Sequence, residues 1–420
     1  MDIKAAAATT TEAEEEVHGV VIVGGGLCGL ATALALHRKG IGSLVLERSE
    51  ALRVGGVALN VHANGWRALE ELGVADDLRS TANLLTSFRK VRLNRNKNET
   101  TVQPASKEIR CLRRKDVLEA LAKNVPPGTI RYGCHIVAID QDPTSNCTLL
   151  TTVDDKTIKA KVVIGCDGWN SVVAKHLGLS SLSQLPLFDV LGFTSYPEGH
   201  PFGTEILHIM GDDLDFGRIP VNENLVHFFL SRSIPDYSTG MDIDETTTTE
   251  YILEKLEEFP DEVEMVRRCD PASRWTVTKV WYRPPWQVAL SSFRRGAVTV
   301  AGDAVHAMGP FIGQGGSAGL EDAVVLARSL SRAAVQLGGC AVTSRRRCDH
   351  SLLHDDKVGT AIEEYIAARR LRVTMLSLHN FTIGTLLTTR SLALKLVCVA
   401  VLALLGDDSR RDVNYDCGRL

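Results

Sequence analysis

Three glycines spaced Gly24-x-Gly26-x-x-Gly29, with the acid Glu47 closing the next apolar run, are the residues of this chain best suited to holding a phosphorylated ligand. Gly24 permits a tight turn, Gly26 admits a pyrophosphate close to the backbone, and Gly29 lets a helix pack against a strand. Unpaired N–H groups at a helix start favour an anion. A carboxylate at position 47 accepts hydrogen bonds from ribose hydroxyls and disfavours a 2′-phosphate, so these residues point to FAD or NAD rather than NADP.

Two later segments add a different chemistry. Asp167-Gly168-Trp169-Asn170-Ser171 follows one apolar run, and Gly302-Asp303 follows another, continuing through His306 and Pro310 to Gly313-Gln314-Gly315-Gly316. A carboxylate there can bind polyol hydroxyls, and the bare N–H groups of a glycine-dense loop can face an anionic ring edge. A flavin requires both, because its ribityl chain carries hydroxyls and its reduced ring carries negative charge that a helix N-terminus stabilises.

For these residues to meet, each must sit at the end of a strand. The β-branched run Val17–Val23, the helical repeat Leu30–Lys39 and the apolar run Ser43–Leu46 predict a strand–helix–strand unit around the first glycines. Lys161–Cys166 and Ala297–Ala301 predict strands that deliver Asp167 and Gly302, and Ser317–Leu337 predicts a helix with Glu321 and Asp322 in its first turns. Between them, short alternating stretches such as Glu205–Met210 and Leu225–Leu230, separated by Gly, Pro, Asp and Asn, predict an antiparallel sheet with one helix over Thr247–Phe259. His208 and His227 fall in those strands and read as core or surface histidines before pocket groups. His306 likewise reads as a packing histidine before a proton-handling one.

In order and spacing these motifs resemble the para-hydroxybenzoate-hydroxylase-like, class A flavoprotein monooxygenases over about residues 17–385. The wording of the segments and the closing Tyr415-Asp416-Cys417-Gly418 are similar to the plant salicylate-hydroxylase-like branch. The resemblance implies an α/β fold: a Rossmann-like FAD-binding domain (17–85, 104–180 and 285–337) with an inserted antiparallel-sheet substrate domain (86–103 and 181–284). A flexible tail (1–16) would precede them, and a loop (338–358) and a C-terminal helical region (359–420) would follow.

It also implies roles. Gly24, Gly26 and Gly29 would hold the FAD pyrophosphate and Glu47 the adenosine ribose, its neighbour Arg48 would also be among the cofactor-binding residues, and Arg114 would reach FAD from a nearby helix. Asp303 would bind the ribityl chain or pyrophosphate, Pro310 would flank the isoalloxazine, and Gly313, Gln314, Gly315 and Gly316 would face its pyrimidine edge. Asp167 carries over both to FAD and to NAD(P)H. The implied activity is hydroxylation of a small, aromatic substrate through a flavin C4a-hydroperoxide, with O2 and with NADH or NADPH as cosubstrate. No Ser/His/Asp or metal constellation stands out, so the hard chemistry would be the flavin's, and His306 and Pro310 are the only catalytic candidates.

The sequence departs from the family at Ala174, where an arginine is common, with Lys175 one place later. That departure keeps open a non-catalytic FAD-binding regulatory protein, beside an FAD-dependent epoxidase or reductase on a lipophilic substrate. Tyr365…Arg369-Arg370…Arg372 resembles a pattern after the glycine loop in relatives and reads equally as a solvated helix end.

Bulk properties narrow the rest. Of 420 residues, 47 are Lys or Arg and 51 Asp or Glu, so no global field favours nucleic acid. The ten cysteines form no CxxC pair or zinc spacing and read as reduced thiols. The first 16 residues, with five acidic groups and no apolar core, resemble neither a secretory signal nor a transit peptide, which leaves the cytoplasm as the default location and a plastid as the alternative. Leu396–Leu405 is a run of ten apolar residues, about half of what a transmembrane span needs; it reads as a buried or docking helix, with a peripheral membrane contact as the other reading.

Overall fold

A computed structural model of the chain describes residues 17–53, 55–56, 58–94, 98–211, 214–233, 245–269, 276–335, 355–405 and 409–420. The acidic tail and the arginine run Arg345–Arg347 lie outside the described residues.

The short β-branched runs pair in parallel because each is followed by a helix or crossover rather than a hairpin. Val17–Val23 lies between Thr157–Gly165 and Leu44–Leu46, Leu44–Leu46 is flanked by Ile130–Arg131, and Thr157–Gly165 pairs in parallel with Val298–Val300. Thr157–Gly165 is long enough to share one edge between two partners: its first half takes Thr148–Thr152 in antiparallel, its last residues Val298–Val300. The register aligns Val23 with Gly165 and Leu46, and Gly165 with Val300. All the motifs therefore emerge at one edge, the carboxyl ends of the parallel strands, where open α/β sheets bind ligands. Val21, Ile22, Val162, Val163 and Ile164 are buried from both faces, as a covered parallel sheet requires.

A seven-stranded sheet runs in the order Thr276–Tyr282, Ser183–Ser195, Leu225–Ser233, Asp215–Asn222, Glu205–Met210, Ser87–Arg92, Glu99–Pro104. It departs from the wholly antiparallel expectation at one place, since Glu205–Met210 pairs with Ser87–Arg92 in parallel. Hairpins force antiparallel pairing only between neighbours in sequence, and Ser87–Arg92 arrives from a distant segment. Alternation gives the sheet two faces. Val190, Phe216, Phe228 and Leu230 pack beneath the helices Glu245–Lys255 and Pro260–Arg267 with Ile252, Leu256, Met265 and Val266. The opposite face carries Asp189, Phe229, Ser231, Asp215 and His208 toward a cavity.

The helix Gly315–Val335 packs along Leu27–Arg38, and the 34-residue helix Asp355–Thr388 crosses from the parallel sheet to the cavity. It begins at Asp355, inside the stretch expected as loop to residue 358. Leu392–Leu405 is a helix but not a buried one: Cys398 is its single buried residue, and Leu392, Leu396 and Leu404 are exposed. Ten apolar residues in a row forecast burial only if another element arrives to cover them. Among the described residues no helix is long and apolar enough to cross a membrane.

Candidate functional site

The first glycines form a built cradle. Gly24 adopts φ +104°, and a Cβ there would lie 2.5 Å from the Cys166 carbonyl oxygen. A Cβ on Gly29 would lie 1.9 Å from the Gly24 carbonyl oxygen, so turn and helix are in backbone contact. Gly26 is the N-cap of Leu27–Arg38, offers no side-chain cap, and has nothing within 4 Å of a Cβ position: an open, donor-rich helix end. Glu47 is buried, accepting from Gly25 N–H at 2.7 Å and Ser49 N–H at 2.9 Å, which ties the second strand to the turn. Arg114 donates to the Gly55 carbonyl at 2.7 Å, and burial first, with Arg53 nearby, lowers its pKa against the pull of Asp303 and Glu47. Those two carboxylates place Arg114 beside both the cradle and the Gly-Asp segment.

Asp167 uses one oxygen to accept from Val172 N–H at 2.7 Å and cap the short helix Val172–His176; the other is buried with no partner. Burial raises its pKa. Ala174 is buried in that helix, and exposed Lys175 donates to Asn170 at 2.7 Å.

Beneath the glycine loop lies a buried charge network that sequence reasoning found only in part. Arg369 is 2% exposed, which rules out the solvated helix end. It donates to Asp322 at 2.6 Å and pairs with Glu321 at 2.7 Å. The second Asp322 oxygen accepts from Gly302 N–H at 2.9 Å and pairs with His306 Nε2 at 2.7 Å. Burial opposes ionisation of Asp322, but Arg369 and His306 overcome it and hold its pKa down at about 2; burial likewise disfavours the His306 cation, and Asp322 prevails, raising its pKa. His306 is thus wholly enclosed under the loop and outside the cavity lining. Glu321 accepts from Asn64 at 2.6 Å, which also donates to Gln314 Oε1 at 2.7 Å. Gln314 Nε2, Asn60 Oδ1 and Ser317 Oγ are buried without partners where the helix Gly315–Val335 begins.

A cavity of about 1100 Å³ joins that helix start to the seven-stranded sheet. One side is Asp303, Pro310, Gly313, Gly315, Gly316 and Ser317; the other is Asp189, Ser231, Asp215, His208, His227 and Phe229. Asp189 and Asp215 flank Ser231 in one cross-strand row. Ser231 donates to Asp189 at 2.5 Å, and His208 pairs with Asp215. Burial pushes the Asp189 pKa up to about 7, with the nearby Asp215 charge adding to it and Ser231 working against it. His227 Nδ1 donates to the Gly192 carbonyl at 2.8 Å, and burial lowers its pKa to about 4, so the ring is neutral and Nε2 is its acceptor. The sequence had placed the two histidines in strands; it missed Asp189, Asp215 and Ser231, whose only signal was a polar residue at alternating, inward-facing positions.

Trp169, in the Asp-Gly segment, stacks on Trp281 of the seven-stranded sheet with centroids 5.2 Å apart at 9°, and both line the cavity. Buried Arg283 donates to the Ser180 carbonyl at 2.6 Å and the Ala304 carbonyl at 3.2 Å, fastening the Gly-Asp loop to the same strand region. The lining also holds the cations Arg232, Lys279, Arg390 and Lys395, beside the carboxylates Asp189, Asp215 and Asp303 and the imidazoles of His208 and His227.

Residues 18–344 match the model of a family described as an FAD binding domain. Monooxygenase 1 of Arabidopsis thaliana is 43% identical over 96% of this chain and 100% of its own length, and Monooxygenase 2 of the same plant is 39% identical over 75% and 77%. Among solved structures, Klebsiella pneumoniae HpxO complexed with FAD and uric acid superposes with a TM-score of 0.72 at 20% identity, covering 95% of this chain and 96% of that one. At that identity the likeness shows the fold.

Proposed function

The chain belongs to the FAD-binding-domain family of flavin-dependent monooxygenases, and from that membership we propose that it uses NADH or NADPH and O2 to hydroxylate a small aromatic substrate carrying an ionisable hydroxyl. The observation that carries this reading is the cavity itself, which runs from the Gly315–Val335 helix start to the Asp189–Ser231–Asp215 row.

The residues present fit FAD. The open N-terminus at Gly26 and the tight turn at Gly24 would hold a pyrophosphate, Glu47 with Arg48 the adenosine side, and Arg114, Asp167 and Asp303 the middle of the molecule. The partnerless polar atoms of Asn60, Gln314 and Ser317 sit where Gly313, Gly315 and Gly316 leave room for a flat polar edge. When bound, FAD would supply hydride acceptance and activated oxygen. The chain's own part is to fix the substrate, keep water from the ring, and accept a proton. Deprotonated Asp189 is suited to take the substrate's hydroxyl proton, with Ser231 orienting it and the Asp215–His208 pair beside it. His306, under the loop, acts through Asp322 on the position of Gly302 and Asp303.

Mixing the FAD-loaded protein anaerobically with NADH or NADPH, with and without a panel of phenols, tests the reading. Bleaching of the flavin accelerated by a phenol, followed by ¹⁸O in the product once ¹⁸O2 is admitted to the reduced mixture, is the expected result; no bleaching with any pair would overturn it. The cradle has its own test. Gly29→Ala forces Cβ into the Gly24 carbonyl, and FAD affinity, titrated by flavin fluorescence on the apoprotein, should fall by about tenfold or more, equivalent to about 1.4 kcal/mol. Wild-type affinity in that variant would separate the turn from the cofactor.

A further inference from the structure

We propose that the helix Leu392–Leu405 is a docking surface for an anionic lipid bilayer, on which the protein rests with the adjoining cavity wall toward the headgroups. The proposal is independent of the reaction assigned above.

Leu392, Leu396, Val399, Ala400 and Ala403 recur at helical spacing, with Val397 and Leu404 beside them, and all are exposed. Leu392 is 73% exposed, Leu396 62% and Leu404 87%, and the single buried residue, Cys398, marks the opposite side that faces the protein. The outward face of this helix is therefore apolar from Leu396 to Leu404, with Lys395 as its one exposed charge. Apolar patches of that continuity mark interaction surfaces.

Three observations choose the occupant. From Thr385 to Leu405 the sequence holds no Asp or Glu, and Arg390 and Lys395 stand exposed at the start of the helix, so the patch is apolar with a cationic border at that end, while Asp407 and Asp408 follow the other end in sequence. That is the composition of a helix lying in a bilayer interface against anionic headgroups. Fourteen residues make a rod of about 21 Å, too short to cross a hydrocarbon core of about 30 Å, so the helix lies on the membrane. Leu387, Thr388, Thr389, Arg390 and Lys395 also line the cavity, so the start of this helix is continuous with the cavity wall. A second copy or other rigid partner seated there would cover the cavity-lining residues Arg390 and Lys395, which a fluid surface accommodates.

The test is flotation of the full-length, FAD-loaded protein with vesicles of phosphatidylcholine alone or mixed with phosphatidylglycerol. The expected result is on the order of tenfold greater flotation with the anionic vesicles, falling as salt is raised. It should be lost in Leu396→Glu/Val399→Glu/Leu404→Glu, with flavin content and melting temperature unchanged. No flotation of the wild type, or flotation that survives the triple substitution, overturns the proposal. So does concentration-dependent dimerisation in sedimentation velocity that the same substitutions abolish without any vesicle binding, which would make a second copy the occupant. Should the triple variant not fold, the wild type decides alone: equal binding to both vesicles, or binding indifferent to salt, overturns it.

Discussion

Arg369→Leu is expected to lower the unfolding free energy by about 3–5 kcal/mol, the range for removing one partner of a buried ion pair and leaving the other uncompensated. Among the described residues Arg369 and His306 are the ionic partners of Asp322, and Arg369 sits within 2.7 Å of both Asp322 and Glu321, all three nearly sealed from water. The signature that separates lost charge from lost volume is the pH dependence. In the wild type the Asp322 pKa is depressed to about 2, so its contribution is present above its unfolded value near 4 and is lost as pH falls through 2. His306 has a raised pKa, so its contribution is present below its unfolded value near 6.5 and fades as pH rises through the folded one. The wild-type network is therefore fully formed between about pH 4 and 6.5. In the variant, Asp322 is no longer held ionised by Arg369 and takes up a proton more readily, so the deficit should shrink on acidification from pH 7 to 5. Denaturant unfolding at the two pH values reads this directly. A deficit that is the same at both would assign Arg369 to packing alone. FAD affinity should fall as well, because Asp322 also holds the Gly302 N–H.

The contrast between what the sequence disclosed and what it hid follows from the range of the interactions. Gly24-x-Gly26-x-x-Gly29 is legible because turn, helix start and strand are contiguous, and the steric reasons for each glycine act over a few residues. The strands ending in Gly165 and Val300 were legible for the same reason: a short apolar run meets a polar, glycine-bearing segment. Arg369 could not be placed, since its partners Glu321 and Asp322 lie on another helix and periodicity alone cannot distinguish a sealed arginine from a solvated one. The Trp169–Trp281 stack joins the Asp-Gly segment to the seven-stranded sheet and has no local signal at all. Leu392–Leu405 shows the opposite failure. Its composition was read correctly as apolar and helical, but burial is a property of what packs against an element, and here the helix packs against Asp355–Thr388 with most of its surface left exposed.

Asp189 is the clearest case of a residue visible only in three dimensions, because its neighbours come from the register of two other strands, and it carries the largest expected effect on turnover. Asp189→Asn should lower kcat/KM for a phenolic substrate by about 10²–10⁴, the usual worth of a positioned general base. As a base the carboxylate must be ionised, so wild-type kcat/KM should fall as pH drops through about 7, and this acid limb should vanish in the variant. Ser231→Ala removes the hydrogen bond that favours the ionised form and should move the limb to higher pH. The groups able to perturb this titration from the packed strands are Ser231 and Arg232 on one, Asp215 with His208 on the next two, His227 below, and Lys279 on the far side. Stability should move the other way. The folded pKa is raised above the unfolded value near 4, so Asp189 favours the fold least once pH has risen through about 7, and a neutral asparagine escapes that penalty. At pH 8 the variant should therefore unfold at higher denaturant than the wild type while turning over far more slowly. A variant equally slow but less stable would mark Asp189 as a structural carboxylate and return the search for the base to the Asp215–His208 pair.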